Sequence, residues 1–445
     1  MVKKILKDEG LALQPGEKFS DYYVLGKMGH GKMAEIFKGL QVINDEGDTD
    51  RFVKELLKTT VVEQKRASLE RKLENWRADE HEFKIEITTA QEKELPALNE
   101  ELRKEKPVHN DYEIRRIASE VGIKSDCRLV AIKFLSYDAI QFSNNKLELF
   151  NMEKALLSSL KHQNLPIIYG QLSNERGIGY VMDFVDGNNL KHILKDGKRQ
   201  AIDDGLQGLK PEIVFSVGYQ LALGLDYQSK VGIVHSDIKP DNIMLTYDDG
   251  FIKLVDFGMA LSFDPTSKEL PQTNMKGGSV PFFSPQIMEC IDFTYVPNSD
   301  REKMEFIKPI KVDPLNDIWA LGVALYELGA GSDRRPFISP HRRESELKKI
   351  IMNENPDTII KENNKFTSQE YNVILKCLER NPQKRYQTGS ELALDIGKCL
   401  NKRGINMSNI HEKLHEFMTY AREKRKDFYT ESQTLTGDIT STVID

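Results

Sequence analysis

Cysteine is scarce. The chain has four in 445 residues, at Cys127, Cys290, Cys377 and Cys399, and no two form a C-x-x-C pair. That spacing argues against a zinc site and fits ordinary thiols in a reducing compartment. Long apolar runs are lacking too. No stretch approaches the roughly 18 residues of a membrane span, and the lysines of MVKKILKDEG are followed by no apolar segment of signal-peptide length. The chain is expected to be soluble and cytoplasmic, or to reach a host cytosol by a route without a cleaved signal. Basic excess is also missing. With a formal net charge of -6, neither nucleic acid nor an anionic membrane is a favoured partner. There is no internal repeat.

What is present suits a soluble protein with two or three domain-sized cores: 39% of residues are hydrophobic and 30% charged. The charge is uneven. Between Arg51 and Asn110, 26 of 60 residues are charged, and Leu69, Leu73, Trp76, Phe83 and Ile87 recur at helical spacings. Pro96 and Pro107 punctuate the run. A shorter stripe of Ile114, Ile117, Ala118 and Val121 ends at Gly122, a left-handed cap. The block 40–128 therefore reads as an inserted helical module, either a charged spacer or a surface for a protein partner.

The segments flanking this block carry chemistry. VLGKMGHGKMAEIFKG, residues 24–39, reads as strand, glycine-rich turn and strand. Gly29 and Gly31 would let backbone N–H groups approach phosphates, while Ala34 stands where G-x-G-x-x-G has its third glycine. After the block, RLVAIKFL is an apolar strand whose alternation puts Ala131, Lys133 and Leu135 on one face. A buried lysine needs an anionic partner. Glu153 offers one, because Phe150, Glu153, Leu157 and Leu160 share one face of a helix whose start is marked by a capping pair, Asn145 and Glu148.

The densest run is HSDIKPDN, residues 235–242, followed by a hairpin, NIMLTYDDGFIKLVDFG. A D-D-G turn at Asp248, Asp249 and Gly250 folds two strands together, so the open end brings Asn242 close to Asp256. Two oxygen ligands there suit magnesium, with water and phosphates completing the shell. Asp237 could orient and deprotonate a hydroxyl, and Lys239 could neutralise a transferring phosphoryl group.

In chain order, the glycine loop at Gly29, V-A-I-K ending at Lys133, the helix carboxylate Glu153, H-S-D at His235 and D-F-G at Asp256 resemble a eukaryotic-like, bacterial-type Ser/Thr protein kinase. GSVPFFSPQ (278–286) resembles the end of an activation segment, DIWALG (317–322) the long buried helix, and Arg385 the arginine that holds that segment's end. The resemblance implies an α+β, bilobal kinase fold. Its small lobe, 22–39 and 129–185, would be an antiparallel sheet plus one helix. The mainly helical large lobe would span 186–400, with an extension over 1–21 and a C-terminal helix and Ser/Thr-rich tail over 401–445.

The same resemblance implies ATP and Mg2+ as cofactors and Ser/Thr hydroxyls of proteins as acceptors, with Lys239 marking Ser/Thr specificity. Met182 to Val185 would be the hinge, with backbone groups of Asp183 and Val185 meeting adenine and Ile36, Ala131 and Met244 sandwiching its ring. Departures from the pattern are informative. Ala34 replaces a glycine. Gln286 replaces a glutamate, so its pairing with Arg385 becomes a neutral hydrogen bond unless Glu289 substitutes. Roughly 20 residues are added between Pro285 and Asp317, long for a loop without a role. Ser236 replaces the arginine of H-R-D, making this a non-RD loop: the residues of phosphoryl transfer are kept, while the receiver of an activating phosphate is not. A pseudokinase scaffold and a small-molecule phosphotransferase are the competing readings.

Overall fold

The structure is a computed structural model. It describes residues 13, 17–19, 21–30, 34–42, 53, 127–141, 144–200, 208–267, 269–274, 277–296, 302–339, 343–357 and 366–421. Two compact units emerge, Met1–Phe150 with Ile168–Phe184, and Asn151–Ile167 with Val185–Asp445.

The first unit is an antiparallel sheet of β1 (Lys18–Phe19), β2 (Tyr22–His30), β3 (Glu35–Val42), β4 (Cys127–Ser136), β5 (Ile168–Asn174) and β6 (Gly177–Asp183), in spatial order β1-β2-β3-β4-β6-β5. Helix α1 (Tyr137–Gln141) follows β4, and α2 (Asn144–Ser158) begins in this unit and ends in the other. Because strand side chains alternate, Val130, Ile132 and Phe134 of β4 face one way and join Val24, Phe37, Val181 and Leu13 in a core. Fully buried Ile132 and Phe134 each contribute about 1.5–3 kcal/mol through that burial. Ala131 and Lys133 take the opposite face, in register with Lys38 and Ile36 of β3 and with Met182 and Tyr180 of β6. Helix α2 starts one residue before Asn145, so that residue lies in the first turn instead of capping it.

The strand ends trim the expected insertion. Val42 pairs directly with Cys127 and Gln41 with Arg128, so Leu40 to Val42 and Cys127 to Arg128 belong to the sheet, and 43–126 is the stretch between the paired strand ends. The helices expected within it lie outside the described residues. At its root, Arg128 Nε donates to Gln41 Oε1 at 2.7 Å and Gln41 Nε2 to Asp21 Oδ2 at 2.6 Å.

The second unit is mainly helical. In chain order it holds β7 (Gly187–Asn189), α3 (Leu190–Gln200), α4 (Pro211–Lys230), β8 (Ile233–Val234), β9 (Ile243–Thr246), β10 (Ile252–Leu254), β11 (Leu261–Ser262) and β12 (Gln272–Thr273). Next come α5 (Pro285–Met288), β13 (Ile291–Tyr295), β14 (Glu302–Phe306), β15 (Ile310–Lys311), α6 (Leu315–Ala330), α7 (Glu344–Asn353), α8 (Ser368–Cys377), α9 (Gly389–Lys402) and a helix over 410–421 (α10).

Every residue of α6 from Asn316 to Ala330 is buried, as its all-round apolar sequence requires. Helix α4 opens on Pro211, whose missing N–H costs nothing at that position. The added stretch between Pro285 and Asp317 is not a structureless loop: it forms the β13–β14 hairpin and then β15, which pairs with β12. Among the described residues no helix is long and apolar enough to cross a membrane.

Candidate active site

His235 to Asn242 leave β8 on a loop that α6 grips from below. Asp317, near the start of α6, accepts the His235 N–H at 2.7 Å and the Ser236 N–H at 2.9 Å, one on each carboxylate oxygen. Ser236 is held at φ +65°, a left-handed conformation that costs a non-glycine residue roughly 1–2 kcal/mol. Two charge-assisted hydrogen bonds offset that cost. Burial pushes the Asp317 carboxyl up to about 7, against the pull of those two backbone donors.

His235 is fully buried, and burial pushes its imidazole down to about 4. It is neutral at physiological pH. Nε2 lies 3.2 Å from the Val255 carbonyl, so that nitrogen carries the proton, while Nδ1 accepts the Asp237 N–H at 3.4 Å. The ring meets Phe257 edge-on at 4.6 Å between centroids.

These contacts aim Asp237. Its buried carboxylate accepts from Lys239 Nζ at 2.8 Å and Asn242 Nδ2 at 3.1 Å on Oδ2, and from Ser279 Oγ at 2.8 Å on Oδ1. Lys239 also donates to Ser279 Oγ at 2.8 Å, closing a triangle. Burial pushes the Asp237 carboxyl up, but the hydrogen bond and charge of Lys239, with the Ser279 hydroxyl, hold it below the usual range. Near neutral pH it is therefore a carboxylate able to accept a hydrogen bond from an incoming hydroxyl, with a cation 2.8 Å away.

Asn242 ends a short 3-10 turn and leads into β9. The β9–β10 hairpin forms as the D-D-G signal requires, with Leu254 opposite Ile243 and Gly250 at φ +68°. A side chain at Gly250 would also meet the His411 carbonyl of α10 at 1.9 Å. At the open end, the Val255 N–H donates to the Asn242 carbonyl at 2.8 Å, which sets Asp256 next to this loop. Asp256 is exposed and held at φ +64°. Asn242 commits its amide nitrogen to the Asp237 carbonyl at 2.8 Å as well as to the carboxylate, leaving Oδ1 as its remaining donor atom. One amide oxygen and one carboxylate are the hard donors that magnesium takes. These residues fit that ion.

In the sheet unit, Lys133 is buried on the central strand β4, beside Ile36 and Tyr180 in register. Ile36 and Ala131 share its face. Gly29 differs from expectation: it is the penultimate residue of β2, paired with Ile36, because the strand extends to His30. Gly31 lies outside the described residues, and Ala34 is buried just before β3. Asp183 ends β6, and its carboxylate accepts a hydrogen bond from Tyr169, whose hydroxyl is pushed up to about 12 by burial and that bond. On α2, Phe150, Glu153 and Leu157 are all buried, as the shared stripe predicts. In the helical unit, Met244 lies half-buried on β9 and Val185 follows the end of the sheet unit.

Farther along, Gln286 replaces a carboxylate with an amide, as expected. Arg385 Nη2 donates to its Oε1 at 2.5 Å, and Gln286 Nε2 donates to the Arg380 carbonyl at 2.9 Å. The rest of the guanidinium is satisfied by the carbonyls of Glu379, Leu315 and Arg380. Burial pushes Arg385 down to about 10. Glu289 is exposed and takes no part in this set.

Two contributors escaped the sequence reading. Ser279 lies in GSVPFFSPQ and Asp317 in DIWALG, and both segments stood out only as fold markers. Their polar residues, in otherwise apolar or glycine-rich runs, were the available signal.

A family model described as the protein kinase domain matches residues 118–393, more than half of the chain. The β2–β3 hairpin lies outside that range. A probable serine/threonine-protein kinase of Clostridium perfringens is 29% identical over 312 residues, 67% of this chain and 40% of that protein. Serine/threonine-protein kinase PrkC of Bacillus subtilis is 31% identical over 303 residues, 67% of this chain and 41% of its own. PknB of Mycolicibacterium smegmatis is 28% identical over 286 residues, 62% of this chain and 40% of its own. The chain thus spans about two fifths of the length of these relatives. A catalytic loop built this way, inside so broad a match, means that the chain belongs to the protein kinase family, among its bacterial-type serine/threonine members.

Proposed function

We propose that this chain is an ATP-dependent protein kinase that transfers the gamma-phosphate to Ser/Thr hydroxyls of protein substrates, without a phosphate paired to a catalytic-loop arginine. The single observation carrying this is the Asp237 carboxylate, buried, ionised and held by Lys239, Ser279 and Asn242. Asp237 orients the attacking hydroxyl and takes its proton. Lys239 offsets charge on the transferring group. Asn242 and Asp256 would hold Mg2+, which supplies charge neutralisation at the phosphates.

The same reading gives Lys133 the phosphates and makes Glu153 of α2 its carboxylate partner. It gives Gly29, Gly31 and Ala34 the loop over those phosphates, and Ile36, Ala131 and Met244 the faces of adenine. Backbone groups of Asp183 and Val185 meet its edge. Shared orientation of Ile36, Ala131 and Lys133 on one sheet face supports this assignment. Residues 43–126 serve a protein partner. The setting is a reducing cytoplasm, which the buried free thiols of Cys290, Cys377 and Cys399 suit.

The deciding experiment follows labelled gamma-phosphate from ATP to the protein itself and to a generic protein substrate, for wild type and Asp237→Asn. Transfer by wild type alone is expected. A folded wild type that binds nucleotide without transferring phosphate would establish a scaffold instead.

A further inference from the structure

The segment from Asp256 to Gln286 makes a contact that phosphoryl transfer itself does not require. Strand β12 pairs antiparallel with β15, Gln272 opposite Lys311 and Thr273 opposite Ile310. Just beyond, the Val312 N–H donates to the Pro271 carbonyl at 2.9 Å. Alternation along an antiparallel ladder makes Thr273 and Ile310 the next hydrogen-bonded pair, with Gln272 and Lys311 a non-hydrogen-bonded pair between them. The β15 side is rooted in the core, since Ile310 and Val312 are buried. It also lies in the stretch longer than the family pattern, where the β13–β14 hairpin closes with Ile291 opposite Phe306 and with the Ile307 N–H on the Cys290 carbonyl at 2.9 Å.

Following each strand of this ladder leads to the catalytic loop. From Thr273 the chain reaches Ser279, which holds Asp237 and Lys239. From Lys311 it reaches Asp317, which holds the His235 and Ser236 amides. The ladder thus closes a ring: segment, Ser279, catalytic loop, Asp317, β15 and back to the segment. In kinases an arginine beside the catalytic aspartate commonly anchors a phosphate that orders this segment. Here that position is Ser236, whose N–H is spent on Asp317.

We infer that the β12–β15 ladder takes the place of that phosphate, positioning the activation segment, and through Ser279 the Asp237 carboxylate, in the unmodified chain. The inference rests on the kinase reading. Its advantage is physical: backbone hydrogen bonds between two parts of one chain need no modifying enzyme, and neutral partners are little screened by salt.

The test uses the phosphatase-treated chain of residues 1–445. Thr273→Pro removes the N–H of the hydrogen-bonded pair. Gln272→Cys with Lys311→Cys places two thiols across the non-hydrogen-bonded pair, where Cα atoms about 4.5 Å apart permit a disulfide. Untreated and phosphatase-treated wild type should agree within about threefold, and the oxidised double-cysteine protein should match its reduced form within the same range. Thr273→Pro should lower kcat/KM about tenfold or more, about 1.4 kcal/mol of barrier. Adding it to the double-cysteine protein should restore activity on oxidation. Hydrogen exchange supplies an arm independent of turnover: the Ile310 and Val312 amides, which face Thr273 and Pro271 across the ladder, should be protected in phosphatase-treated wild type and exposed in Thr273→Pro.

Loss of that protection on phosphatase treatment overturns the inference whether or not the protein transfers phosphate. So does an oxidised cross-link that abolishes activity until dithiothreitol restores it, which would assign the ladder to an idle state. So does full activity of Thr273→Pro. Intact protection with no transfer by any form instead sinks the kinase reading, and with it the ladder's working role.

Discussion

Replacing Asp317 with asparagine isolates the grip on the catalytic loop. The side chain keeps its size, but only one of its two terminal atoms can now accept, so either the His235 or the Ser236 N–H faces an amide NH2. A buried donor left without its partner costs about 1–3 kcal/mol. The loop can escape that cost by releasing Ser236 from φ +65°, which would swing Asp237 out of its triangle with Lys239 and Ser279. Turnover should therefore fall by about 5- to 150-fold, the same energy expressed as a rate.

Global stability near neutral pH should move much less, because two effects oppose. The lost hydrogen bond destabilises, whereas removing a charge whose burial pushes the Asp317 carboxyl up to about 7 stabilises. Kinetics with a protein substrate, alongside urea denaturation monitored by far-UV circular dichroism, separate the two. A folded Asp317→Asn protein with turnover within twofold of wild type would refute the claim that this carboxylate positions the loop.

The same variant makes a pH prediction. His235 titrates at about 4 when folded against 6.5 unfolded, so the unfolded chain binds more protons between those values and stability drops as pH falls through them. Asp317 runs the other way: its carboxyl is raised from 3.8 to about 7, so its contribution is full at low pH and is lost as pH rises through that range. In wild type the two slopes largely cancel between about pH 4 and 6.5, whereas Asp317→Asn should lose up to about 1.4 kcal/mol per pH unit on acidification there. Urea midpoints across that window check it, and parallel slopes for the two proteins would defeat it. Asp237→Asn and Asp256→Ala should each cut turnover by orders of magnitude while leaving the denaturation curve near wild type; single-turnover kinetics on folded protein decide. Because Val42 and Cys127 are directly paired, a short turn should replace 43–126 without loss of the sheet or of ATP binding, measured as a nucleotide-dependent rise in melting temperature. A folded deletion that no longer binds nucleotide would show the insertion to be part of the site.

Much of this was legible in the sequence because its causes are local. Alternation in RLVAIKFL sorts Ile132 from Lys133, a D-D-G turn fixes the β9–β10 register, and an all-apolar run makes α6 a buried helix. The catalytic loop was legible for another reason, since few arrangements other than phosphoryl transfer gather H-x-D, K-x-x-N and D-F-G in one short span. What escaped depends on partners far apart in the chain. Ser279 meets Asp237 across 42 positions and Asp317 meets His235 across 82, and no local pattern announces either. The β12–β15 ladder joins two-residue strands too short to leave a periodicity. Gly29 was misplaced because a glycine near a turn reads as turn, whereas pairing with Ile36 extends the strand through it.

The direct pairing of Val42 with Cys127 has a consequence for how the sheet assembles. Neighbouring strands usually meet early because little chain separates them, but here about 84 residues (43–126) intervene. Closing that length of unfolded chain instead of a four-residue turn costs about 2.7 kcal/mol of chain entropy, and it turns a local contact into a distant one that slows folding. That penalty disappears if the insertion folds first with its two ends side by side, for then the sheet sees only a short link. Folding rates of the full chain and of the deletion would reveal which order the protein follows: near-equal rates mean the insertion arrives already folded, and a much faster deletion means the sheet forms against the full entropy of the loop.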